Sequence, residues 1–154
     1  MANVFDVASY ILQSCGPMTT MKLQKLVYYA QAWSLVWDEK PLFDEPIEAW
    51  ANGPVVRDLY DAHRGQFEIH PGELAGDPGS LDDSQKETIN SVLDYYADKP
   101  TQWLVDLTHM EGPWREARSG LPETARSNKV ISLASMAEYY SSLQSQSDGE
   151  EQET

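Results

Sequence analysis

The chain is short of the residues that carry chemistry. Cys15 is the single cysteine in 154 residues, so no internal disulfide can form. With no basic start of the kind a secretory signal carries, that points to a reducing, cytoplasmic setting. Histidine is nearly as scarce: His63, His70 and His109 show no HxxxH, HExxH or CxxC spacing, and scattered ligands do not converge on a metal. GxSxG, Walker and GxGxxG patterns are missing too. Hydrolase, nucleotide and dinucleotide readings therefore lack a starting point, and a non-enzyme without metal or cofactor is expected. Cys15 has no nearby histidine to activate it and reads as a half-buried small thiol. No apolar run approaches the length of a membrane span, so no membrane partner is expected. Positive charge is also sparse, 11 Lys and Arg against 25 Asp and Glu for a formal net charge of −14. Such a chain repels nucleic acid wherever bases do not cluster, and favours basic or neutral protein partners.

What the sequence does contain is organised around Met18 to Trp37. At 100° per residue, Leu23, Leu26, Val27, Ala30, Trp33 and Trp37 form one apolar face, while Tyr28, Tyr29, Ala32, Leu35 and Val36 cover most of the rest. Gln24, Gln31 and Asp38 leave only a narrow wet stripe, and a helix apolar nearly all round is a buried one. Gly16-Pro17 breaks what precedes it, and Thr19 or Thr20 can cap its first turn. Lys22 and Lys25 oppose the helix dipole there. Two readings stand open: carboxylates of the same chain or water meet these lysines, or they form a cationic patch offered to a partner.

Around this helix the reading is mainly α, a compact helical domain with a small antiparallel β element. Asn3 to Ser14 reads as a first helix. Pro41 and Pro46 exclude helix interiors, leaving Leu42-Phe43 and Ile47 to Trp50 as short extended pieces. Asn52-Gly53-Pro54 is a break from which Val55 to Ala62 can run as a helix. Gln66 to Ile69 can add a third strand. Ser84 and Glu87 make a capping box for the next helix, and Thr101 to His109 forms a short one with Trp103, Leu104 and Leu107. Pro113-Trp114 restarts the chain with Trp114, Ala117 and Leu121 inward, and Arg118 is expected on a carboxylate. Asn128 to Ile131 is extended, and Ser132 caps the last helix. Residues 1–140 make one domain of a size able to bury roughly 70% of its unfolded surface, and 141–154 read as a disordered acidic tail.

The segments from Thr20 to Tyr29 (TMKLQKLVYY), Pro41-Leu42-Phe43, Ile47 to Val55 (IEAWANGPV), Thr108-His109 and Pro113-Trp114 together resemble the Panacea domain of SocA-like antitoxins and phage-associated GepA-type proteins. The resemblance covers roughly residues 4 to 118. It implies a helical, non-enzymatic antitoxin that neutralises a cognate toxin, encoded by a neighbouring gene, through direct protein–protein binding. One branch of that family acts instead as an adaptor handing its toxin to a Clp protease. A DNA-binding, winged-helix-like regulator is a further alternative, but the only locally basic stretch, Arg115 to Lys129, is thin for phosphate tracking, and no specific nucleic acid is expected. The candidate partner-binding residues are Lys22, Gln24, Lys25, Tyr28, Asn52, Arg57, His109, Trp114 and Arg118.

Overall fold

The computed structural model describes residues 2–153, with side chains described for residues 2–146. Helix α1 (Val4–Cys15) starts on a capping box in which Asn3 and Asp6 exchange side-chain and backbone bonds. Asp6, an acid on an otherwise apolar stretch, is thereby spent, since its second oxygen accepts from the Asp77 amide at 2.8 Å. A two-residue strand β1 (Met18–Thr19) leads into α2 (Thr20–Trp37), capped by the Thr19 hydroxyl on the Lys22 amide. Cys15 lies exposed at the end of α1 and not half-buried as read from the sequence.

Helix α2 is the centre of the molecule and packs against α1, β3, α4, α5 and α7. Leu23, Leu26, Val27, Tyr29, Ala30 and Ala32 are wholly buried. The expected wet stripe is not wet: Gln24 and Gln31 are 2% and 1% exposed. Each serves as a buried backbone clamp, because a primary amide can replace the missing strand partner of an irregular segment. Gln31 donates to the Phe43 carbonyl at 2.8 Å and accepts from the Leu42 amide at 2.7 Å. This holds Leu42 and Phe43 in the core without a strand. Solvent is met at the far end of the helix, where Trp37 is exposed and Trp33 is half-buried.

The β element is a hairpin. Strand β2 (Ile47–Trp50) pairs antiparallel with β3 (Gly53–Val56), Trp50 opposite Gly53, so Ala51 and Asn52 form its two-residue turn. The helix expected from Val55 begins only at α3 (Arg57–His63), because residues 53–56 are spent on the ladder. Strand β4 (Glu68–Ile69) joins β1 and not the hairpin, making a separate two-stranded ladder. A short 3₁₀ turn at Pro78–Ser80 precedes α4 (Asp83–Tyr96), whose capping box is Asp82 with Gln85, two residues before the expected Ser84 and Glu87.

Helix α5 (Thr101–Met110) meets α6 (Gly112–Arg118) at Glu111. Leu121 is exposed, contrary to its inward assignment, and Trp103 is exposed as well. Strand β5 (Val130–Ile131) completes a three-stranded sheet in the order β3-β2-β5. Helix α7 (Leu133–Glu153) returns over α2, with its Ser132 hydroxyl cap on the Ser135 amide. Its Met136 and Tyr140 are buried, Leu143 packs against the core, and Gln144 accepts from the Trp37 indole at 3.2 Å. The acidic stretch from residue 147, read from the sequence as part of a solvated tail, lies beyond the described side chains.

Candidate functional site

The hairpin turn sits directly on α2. Gly53 has φ +113, and a Cβ there would come within 2.6 Å of Lys25 Cε and 2.9 Å of Thr108 Oγ1. Glycine is thus required twice at this position, for its backbone conformation and for the close approach. Beneath the turn Lys25 is 0% exposed, and its Nζ donates to the Pro54 carbonyl at 3.2 Å. Among the described residues no carboxylate lies within ion-pair distance of it. Burial pulls its pKa from 10.5 down to about 7. The first of the two sequence readings therefore fails for Lys25 in both its forms, since the lysine is neither paired with an acid among the described residues nor solvated. Lys22 is half-exposed and likewise forms no ion pair among the described residues.

Gln24, one residue before Lys25, bridges β3 and α3. It accepts from the Val56 amide at 2.9 Å and donates to the Val56 carbonyl at 3.3 Å, and its amide nitrogen lies 3.0 Å from His63 Nε2. His63 is buried, and burial holds it below its ordinary value, with the charge of Lys25 adding to the effect. On the other side of the turn His109 stacks on Trp114 with centroids 4.1 Å apart. Its buried Nε2 has no hydrogen-bond partner among the described residues, and burial is the main reason its pKa is lowered.

Trp114 donates its indole N–H to the Trp50 carbonyl at 2.7 Å. Arg118 is 2% exposed and is held by four carbonyls, Ala49, Pro122, Glu123 and Ala125, at 2.6 to 3.3 Å. Among the described residues no carboxylate pairs with it, because a guanidinium with five donors can instead staple an irregular loop to the edge of a sheet.

Two cavities flank the turn and share Trp50, Asn52 and Tyr60. The larger, about 700 Å³, is lined besides these by Ala51, Arg57, Arg64, Arg126, Ser127 and Asn128. In a chain with 25 acids and 11 bases, three of its nine lining residues are arginine and none is acidic. Arg57 pairs with Glu48 at 3.2 Å and lies over the Trp50 ring at 5.2 Å. The same carboxylate accepts from the Trp50 indole at 2.9 Å, so Glu48 aims both groups. Arg64 and Arg126 are exposed and form no ion pair among the described residues. The smaller cavity, about 260 Å³, lies towards α2 and is lined by Thr20, Met21, Gln24, Lys25, Val55 and His63 with the shared three. Among the described residues no group of three or more potential ligands could hold a metal, and no helix is long and apolar enough to cross a membrane.

The family described as antitoxin SocA-like, Panacea domain, matches residues 23–115, from the body of α2 through the hairpin to Trp114 and Arg115. The chain belongs to this antitoxin family. No curated protein and no solved structure matches it. The stretch shared with the SocA-like antitoxins contains the turn, its lysine floor and the His109–Trp114 stack. Most of the segments that carried the resemblance read from the sequence meet at this turn, while Leu42 and Phe43 lie apart under Gln31.

The nine residues singled out in this antitoxin's sequence divide by exposure. Gln24, Lys25, Tyr28, Trp114 and Arg118 are buried, Tyr28 through a 3.0 Å bond to the Tyr140 hydroxyl. Such side chains shape the surface without forming it. Asn52 and Arg57 are exposed, and Lys22 and His109 half-exposed. Sequence reasoning missed Trp50, Tyr60, Arg64 and Arg126 as wall residues. They come from β2, α3 and two loops, and no periodicity links them. It also missed Glu111, 5% exposed, which accepts from the hydroxyls of Tyr29 at 2.6 Å and Tyr140 at 2.8 Å. Burial lifts its carboxyl from 4.5 to about 7 against those two bonds.

Proposed function

We propose that this protein neutralises a toxin protein by binding it directly, with the face around the Asn52 turn as the docking surface. The observation that carries the reading is the larger cleft. Its walls combine Trp50 and Tyr60 with Arg57, Arg64 and Arg126, the residue types that anchor protein interfaces, and gather positive charge on a strongly acidic chain. The partner segment it suits is acidic, which sets the register of docking and speeds encounter. Family membership supports an antitoxin role in general, and the direct mode of action is our reading.

The test is co-expression with the product of the neighbouring gene. Wild type should restore growth and co-purify with that product. Arg64→Glu with Arg126→Glu should lose both while melting within a degree or two of wild type, as exposed unpaired charges affect stability little. A double variant that still rescues and co-purifies would remove the cleft from the interface. If the neighbouring product disappears in a protease-dependent manner without a lasting complex, the adaptor reading replaces direct neutralisation.

A further inference from the structure

Lys25 presents a charge without a counter-charge. An ammonium carries three donors, and among the described residues only one, to the Pro54 carbonyl, is satisfied by a protein group. Isolating such a group from water costs several kcal/mol unless an anion accompanies it. The chain has 25 carboxylates to offer, yet none is within ion-pair distance among the described residues. Among the described residues, the titratable groups shown to interact with the lysine supply no anion, and the nearest acid of the hairpin strand is engaged elsewhere. His63 on α3 and His109 on α5 feel its charge. Glu48 on β2 is committed to Arg57 and Trp50.

The smaller cavity is the place from which such an anion could come. Met21, Trp50, Val55 and Tyr60 give it apolar walls, while Gln24, Lys25 and His63, 2%, 0% and 5% exposed, contribute to its lining from beneath the surface. At about 260 Å³ it has room for a side chain and not for a folded element. Its rim residues Trp50, Asn52 and Tyr60 also belong to the arginine-lined cleft, so an acidic segment crossing that cleft passes directly over the mouth. We infer that this pocket receives one carboxylate from the bound protein partner, an Asp or Glu side chain, and that Lys25 supplies the charge it meets.

The inference rests on the docking reading for the owner of the carboxylate, while the pocket itself can be tested without any toxin. Near neutral pH Lys25 is close to half protonated in the free protein, since its pKa lies at about 7. Carboxylate binding selects the protonated amine, so it takes up a proton and weakens about tenfold per pH unit above that midpoint.

The probes are acetate and N-acetylglutamate, titrated into the full chain labelled at lysine, glutamine and histidine, with chloride at matched ionic strength as control. Saturable shifts are expected at Lys25, Gln24 and His63 below pH 7, together with a rise in the Lys25 midpoint when the probe is bound. Lys25→Met should abolish the shifts at Gln24 and His63. If chloride gives the same shifts, if Lys25→Met leaves them unchanged, or if the wild-type midpoint does not move, there is no carboxylate pocket. The partner half of the inference is read by rescue with the toxic neighbour. Lys25→Met, folded by its melting curve, should bind that partner at least tenfold more weakly, and full-strength binding overturns it. Loss of rescue in the Arg64 and Arg126 variant alone bears on the cleft and not on this pocket.

Discussion

Lys25 and Glu111 are both buried, with midpoints displaced to about 7 from opposite directions, and no ion pair joins them. Their linkage signs follow from that. The raised carboxyl of Glu111 favours the protonated form in the fold, so its contribution is intact below 4.5 and lost as pH climbs through 7. The depressed amine of Lys25 favours the neutral form, so its contribution is intact above 10.5 and lost as pH falls through 7. Together they predict a stability trough near pH 7, with gains on the order of 1 kcal/mol within about 1.5 units on either side. Urea melts across pH 5.5 to 8.5 (values set by about 1.5 units either side of that midpoint) check this. Glu111→Gln should flatten the acid limb and Lys25→Met the alkaline limb. A monotonic profile in wild type would mean that the two groups are not isolated from charge as described. At this scale the sequence was least legible. It marked Lys25 and Gln24 as notable but gave no sign that they are buried, because a polar residue on an apolar helix looks the same whether it meets water or a backbone that lacks partners.

The β2–β3 hairpin and α2 form one unit, joined by Gln24 to Val56 and by Lys25 to Pro54. Gly53 tests that coupling. Gly53→Ala meets both the left-handed backbone and the lysine methylene 2.6 Å away, and a strain of about 2 kcal/mol or more is expected. In a Lys25→Ala background the clash with the lysine is relieved while the one with Thr108 stays, so the same substitution should cost less. A double-mutant cycle should return a coupling of about 1 kcal/mol or more. Strict additivity would show that the turn and the lysine are energetically independent. The elements themselves were largely readable. Periodicity located α1, α2 and α4 and the proline and glycine positions located the breaks, but strand pairing was not visible. Val55 and Val56 suit a strand as well as a helix start, and only the register with Ile47 and Glu48 settles which they form. Likewise β4 pairs with β1, a partner too short to leave any pattern in the sequence.

Across the whole molecule, charge and burial are distributed so that the shared family segment, residues 23–115, supplies the turn, its floor and most of the cleft. Arg126, Ser127 and Asn128 close the cleft from outside that segment. The mainly α architecture around a buried central helix and the small antiparallel sheet were both legible in the sequence. The cleft proposed for docking was not, since its walls are assembled from residues 50 to 128 by the return of the chain after α6. The most direct measurement is the affinity of Arg64→Glu with Arg126→Glu for the proposed toxin partner, set beside a control that makes the same net-charge change away from the cleft, Lys40→Glu with Lys86→Glu. Titration calorimetry at physiological salt should show the cleft variant weakened at least tenfold and the control within about twofold, the latter because long-range charge effects are screened. Equal losses in both would reduce the cleft to a contributor to net charge, and full affinity in the cleft variant would contradict the account outright.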